Sequence, residues 1–226
     1  MAHSKSKIPD FRFIHISTDE VCGHLSPGDP PFTESSPVRP RSPYAASKAS
    51  AEHLVRAWQT THGLPVVILR GSNTYGTHQH GEKFIPTIIR HTLAGKPVPI
   101  YGDGRNIREW LHVEDHARAI LAASTRGTAG ETYNIGGGDA LTNLDLVCLV
   151  GRILKEEIAA RPGRLPNAPP PVTLNHIPDR PGHDFRYALD TDKARHELRW
   201  APRSDLPTGL RQTIRNHITN PPRSPA

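Results

Sequence analysis

Phe13-Ile14-His15-Ile16-Ser17-Thr18-Asp19-Glu20-Val21-Cys22-Gly23 is a short apolar run that ends in hydroxyls and two adjacent carboxylates. The alternation and β-rich composition of 11–17 predict a strand, with 18–23 at its carboxyl end. Ligands of open α/β sheets bind beyond the carboxyl ends of strands, which puts Thr18, Asp19 and Glu20 at the edge of a site. Further along, Tyr44 and Lys48 stand at i, i+4 in Tyr44-Ala45-Ala46-Ser47-Lys48. On a helix that spacing shares one face, so the ammonium can lie near the phenol. A nearby cation favours the phenolate and draws its pKa down from about 10. A tyrosine tuned that way can take a proton from a substrate hydroxyl while hydride leaves the same carbon.

Outward from that stretch, residues 24–42 are rich in proline, glycine and serine and predict a loop. Ser42 and Pro43 read as N-cap and first residue of a helix over 44–62, with Gly63 as its C-cap. Residues 64–69 read as an apolar β-branched strand, and 70–76 as a small-residue loop after it. A helix over 84–94, strands over 98–101 and 107–112, and a helix over 113–124 follow. A strand over 131–135 ends in Gly136-Gly137-Gly138, ahead of an amphipathic helix over 144–158. Proline-rich 161–171 predicts a surface loop, 172–177 an extended piece, and 191–198 and 206–218 helices. Alternating strands and helices mean an α/β chain.

With 226 residues the chain can bury one good core, or one and a half domains. No apolar run approaches the roughly 20 residues of a membrane span. Residues 1–10 are polar and lack the apolar centre of a signal peptide. Cys22 and Cys148 are too few for a disulfide framework and fit two free thiols in a reducing cytoplasm. The net charge of +6 comes from 28 Lys and Arg against 22 Asp and Glu, dispersed without a block of like charge. That pattern argues against nucleic acid and suits a cleft for a diphosphate. His78 and His80 lie in a polar stretch with no carboxylate or cysteine pattern to complete a ligand set, so no metal site is expected. Gly136-Gly137-Gly138 lacks the G-x-G-x-x-G order of a phosphate loop and reads as a strand-end turn.

Ser17-Thr18-Asp19-Glu20-Val21 followed by Tyr44-x-x-x-Lys48 resembles the extended short-chain dehydrogenase/reductases, and within them the dTDP-glucose 4,6-dehydratases. The similarity runs over about residues 11–220. It implies an incomplete Rossmann-like parallel sheet lacking its N-terminal strands, joined to a smaller α+β substrate lobe. Residues 1–10 would then be a disordered lead, 11–76 the C-terminal half of the NAD-binding domain, and 77–220 mostly the nucleotide-sugar lobe. Segments around 107–136 would return to the Rossmann-like part, and 221–226 would be a tail.

The resemblance also implies roles. Tyr44 would be the base at carbon 4, held by Lys48, with Thr18 bonding the same hydroxyl. Glu20 would remove the proton on carbon 5, and Asp19 would protonate the hydroxyl leaving carbon 6. Ser17, Tyr44, Lys48 and Thr74 would touch NAD. Asn73, Lys83, Pro99, Tyr101, Arg108, Asn143, Arg180, His183 and Tyr187 would hold the nucleotide sugar, the arginines gripping its diphosphate. A homodimer through the helix over 44–62 is the family habit.

Departures are visible too. Cys22 stands where the family has tyrosine, and Thr74 replaces the second of two asparagines. No glycine-rich turn precedes Ser17, although the pyrophosphate of NAD needs one. The expectation is therefore a dehydratase that is impaired unless another segment supplies that half. The alternatives are a non-catalytic remnant that binds a nucleotide sugar or a full-length relative, and a nucleotide-sugar epimerase. Epimerases generally place small residues where Asp19 and Glu20 stand, so the acid pair argues for dehydration.

Overall fold

Strand β1 (Phe13–Thr18) runs parallel to β2 (Val66–Gly71), with Phe13 opposite Val66 and Thr18 opposite Gly71. On its other side β2 pairs in parallel with β6 (Thr132–Ile135), giving the order β1-β2-β6. The computed structural model describes residues 11–161 and 170–220. All six residues of β2 are buried, as a central parallel strand covered on both faces must be. Among the described residues β1 is an edge of this sheet, and Phe13 is 39% exposed.

Helix α1 (Pro43–His62) covers one part of the sheet. Its ends follow the sequence logic: Ser42 Oγ accepts from the Ala45 N–H at 3.1 Å, and Gly63 takes the left-handed φ of 69°. Such a cap contributes about 1 kcal/mol. The helix buries only Ala45, Ala49 and Glu52, a narrow stripe, and leaves Leu54 and Trp58 exposed. Helix α3 (Val113–Arg126) contributes Ala119, Ala122 and Ala123 to a cluster with Val67, Leu69, Leu111, Tyr133 and Ile135.

A second apolar cluster joins α2 (Phe84–Leu93), β4 (Val98–Tyr101), α4 (Asn143–Ala159) and α6 (Leu206–Thr219) through Ile85, Ile89, Leu146, Val150, Ile153 and Leu210. Here β4 pairs in parallel with β8 (Leu174–Ile177). The remaining sheet has the order β3-β5-β7, from β3 (Asn73–Tyr75), β5 (Ile107–His112) and β7 (Asp139–Thr142). A short helix, α5 (Asp192–Glu197), lies against β6.

The α/β reading holds, and the parallel sheet has three strands among the described residues. Two strands depart from the sequence reading. The stretch read as a loop over 70–76 contains β3, which β5 recruits, and β7 follows the triple glycine by pairing antiparallel to β5. Both are short segments whose strand character comes from a neighbour's backbone rather than from their own alternation. Most of the expected 161–171 loop lies outside the described residues. Among the described residues no helix is long and apolar enough to cross a membrane.

Candidate active site

The carboxyl end of β1 turns directly into a single 3₁₀ turn, Asp19–Cys22. Thr18 is its N-cap, and its hydroxyl accepts from the Glu20 N–H and donates to Asp19 Oδ1 at 3.1 Å. The turn buries Asp19 to 2% exposure. Burial, then the charges of Glu20 and Glu109, push the Asp19 carboxyl up to about 8, against the pull of Thr18 and Arg108. Glu20 is raised too, by burial first and by Asp184, with Arg108, Arg180 and Lys83 opposing the rise without cancelling it. Two adjacent carboxylates therefore face different surroundings, one walled in among acids and the other among cations.

Tyr44 lies in the first turn of α1 and Lys48 one turn later. Here one expectation needs correction: Lys48 does not lower the phenol. Its Nζ donates to the Ile16 carbonyl of β1 at 2.6 Å. Burial, then the charges of Glu20 and Asp19, raise the Tyr44 phenol, with the nearby Thr18 hydroxyl acting the other way. Burial first, then the charge of the two acids, thus sets the direction at the phenol. Ser17, the residue before Thr18 on β1, is buried.

Arg108 on β5 is buried to 7% and donates to the carbonyls of Ile107, Phe185 and Asp184. Burial lowers its pKa, and its guanidinium lies 4.5 Å from the centre of the Tyr187 ring. Arg180 lies over the Tyr101 ring at 4.9 Å. Both arginines reach His183 Nε2, at 2.8 and 2.9 Å. Gly182 makes this loop possible, with φ of 69° and the Arg41 carbonyl where a side chain would begin. Lys83 precedes α2, Pro99 is on β4, and Asn143 opens α4, where its backbone N–H bonds the Asn106 carbonyl.

Asn73 and Thr74 lie on β3. The Asn73 Oδ1 is buried with no hydrogen-bond partner among the described residues. The Thr74 hydroxyl is engaged with His116 Nδ1 of α3 at 2.8 Å. His78 and His80 are exposed in their loop.

Sequence reasoning missed Glu109, Asp179 and Asp184. Glu109 is 3% exposed and accepts from the Gly138 and Leu189 N–H groups, both at 2.9 Å. It follows Arg108 on a strand buried on both faces, and that was the available signal: adjacent charges in a strand that cannot point both outward. Asp184 is buried and accepts from the Tyr187 hydroxyl at 2.7 Å.

The residues present fit the nicotinamide-ribose end of a dinucleotide, with a buried serine, a tyrosine and a lysine gathered at the carboxyl end of β1. They do not offer a pyrophosphate cradle at the triple glycine. A Cβ at Gly136 would collide with the Glu109 carboxylate and one at Gly137 with the Trp110 carbonyl, so protein already fills that space.

The dTDP-glucose 4,6-dehydratase of Haemophilus influenzae is 49% identical over 216 residues, 96% of this chain and 63% of that protein. The enzyme of the same name from Neisseria gonorrhoeae is 50% identical, over 93% of this chain and 60% of its own length. A crystal structure of dTDP-glucose 4,6-dehydratase from Streptomyces venezuelae with NAD and TYD bound superposes with a TM-score of 0.81 at 42% identity, covering 92% of this chain and 60% of that one. The chain thus spans about 60% of the length of the relatives it matches. Residues 1–213 match the family model described as GDP-mannose 4,6 dehydratase, and the chain belongs to that family.

Proposed function

We propose that this chain carries the acid-base and nucleotide-sugar-binding part of a dTDP-glucose 4,6-dehydratase. One observation supports the reading above all: Asp19, buried and pushed up to about 8, adjoins Glu20, where three cations oppose the rise that burial causes. Elimination of water needs such a split pair, an acid for the departing oxygen and a base for the carbon-bound proton.

Bound NAD would supply the hydride chemistry at the sugar. Thr18 orients the hydroxyl on carbon 4 by hydrogen bonding. Tyr44 is the base that takes that hydroxyl's proton. Glu20 removes the proton on carbon 5, and Asp19 delivers its own to the hydroxyl leaving carbon 6. Ser17 and Lys48 would hold the ribose of the cofactor. Arg108 and Arg180 clamp the diphosphate, with Tyr101 and Tyr187 as flat walls behind them and Lys83, Pro99, Asn73 and Asn143 around the nucleotide sugar.

We place this chemistry in a soluble compartment, the cytoplasm, where the free thiols Cys22 and Cys148 stay reduced. A second copy of the chain fits the exposed face of α1. The deciding experiment incubates the purified chain with NAD and dTDP-glucose and follows loss of one water from the sugar nucleotide by mass spectrometry. Dehydration supports the reading. Binding of thymidine diphosphate without dehydration favours the non-catalytic binder, and the absence of both dehydration and binding overturns both readings.

A further inference from the structure

Asp179 has no part in the roles above, yet the two arginines are gathered through it. Two guanidiniums repel each other and can only donate hydrogen bonds. Arg108 and Arg180 both point an Nη2 at one atom, His183 Nε2, at 2.8 and 2.9 Å. That nitrogen must therefore be an unprotonated acceptor, which leaves the imidazole proton on Nδ1. Nδ1 lies 2.6 Å from Asp179 Oδ1. A carboxylate on one ring nitrogen is what fixes the tautomer presented by the other.

The surroundings reinforce this arrangement. The same Oδ1 accepts from the Arg180 backbone N–H at 2.8 Å, tying the carboxylate to the loop it organises. Its side chain also abuts Gly102, at the end of β4. The His183 side chain is 6% exposed, and burial with the two guanidiniums opposes a charged imidazole while Asp179 favours it. The Tyr101 ring stands edge-on to the imidazole at 6.2 Å.

We propose that Asp179 is a positioning residue: it fixes His183 in the tautomer whose Nε2 gathers the Arg108 and Arg180 guanidiniums into one preformed cradle for a diphosphate. The diphosphate part rests on the function proposed above. Preforming the cradle spends the repulsion between the arginines before the ligand arrives, so less binding energy is lost to ordering.

Two readouts on the full chain separate the proposal from that reading. Long-range ¹H–¹⁵N spectra of the free protein, with His183 assigned through His183→Gln, report which ring nitrogen carries the proton. The wild type shows Nδ1–H, and Asp179→Ala loses that preference. Calorimetry with thymidine diphosphate then shows about tenfold weaker binding for Asp179→Ala, equal to about 1.4 kcal/mol. Asp179→Asn, which retains an acceptor oxygen, falls between. Thermal melting of each variant checks that the fold is kept. An unchanged tautomer, or unchanged affinity despite a changed tautomer, overturns the proposal. If the wild type takes up no thymidine diphosphate, the diphosphate reading fails, and the tautomer alone decides whether Asp179 organises the arginines.

Discussion

Glu52 and Arg70 meet in a two-pronged ion pair, Nε to Oε1 at 3.0 Å and Nη2 to Oε2 at 2.7 Å, with both residues almost fully buried. The pair pins α1, which carries Tyr44 and Lys48, to the central strand β2. Burial would raise the Glu52 carboxyl, but the Arg70 hydrogen bonds and charge outweigh it and hold it low. Glu52→Ala leaves a guanidinium buried without its partner and should cost about 3–5 kcal/mol. Urea unfolding measures this, and a loss under about 1 kcal/mol would show that the pair does not hold the helix.

The elevated Asp19 carboxyl has a nearby source that can be removed. Glu109→Gln deletes one negative charge, so the Asp19 pKa should fall below its value of about 8. Carbonyl ¹³C titration of the folded chain reads it directly. The stability consequence has a definite sign. Because the folded pKa lies above the unfolded one, Asp19 favours the fold at low pH, and that contribution is lost as pH rises from about 4 towards 8. An Asp19 titrating as an ordinary carboxylate would sink its assignment as the acid.

Glu157 behaves oppositely. Its carboxylate, on α4, meets Arg211 at 2.9 Å and Arg215 at 2.7 Å from α6, as well as Arg161. Burial alone would raise it, yet the arginines bring it down to about 2. Its contribution is therefore present above about 4.5 and disappears as pH falls towards 2. Glu157→Gln should cost about 2 kcal/mol at neutral pH and flatten the acid limb of the denaturation curve. Parallel acid limbs for both proteins would contradict this.

The exposed face of α1 makes a prediction about assembly. Leu54 is 63% exposed and Trp58 56%, with Trp58 tilted against His62 at 4.6 Å. If a second copy covers this face, Trp58→Glu should shift the chain to monomer in sedimentation velocity without changing its helical content. A wild type that sediments as a monomer at high concentration would exclude that partner.

Much of this was legible beforehand for reasons that differ by element. The cap at Ser42, the proline at the first turn and Gly63 bound α1 through local chemistry, which sequence states openly. The Thr18-Asp19-Glu20 turn was placed because a strand must end where its alternation does. By contrast, β3 and β7 exist because β5 lies between them, and no local pattern announces a neighbour. The field at Tyr44 was misjudged for a similar reason. Helical spacing brings Lys48 to the right face, but a backbone carbonyl on β1 claims its ammonium. Glu109 and Asp179 act through partners 90 and 4 residues away respectively (Asp19 and His183), and only the nearer pair could have been guessed.

The flank of β1 that no described residue pairs has a colloidal consequence. A rim of parallel strand with outward backbone donors and acceptors, and a phenylalanine beside it, is a template for any extended peptide that arrives in register. At high concentration two molecules should pair rim to rim, and a soluble peptide that zips along the rim should keep them apart.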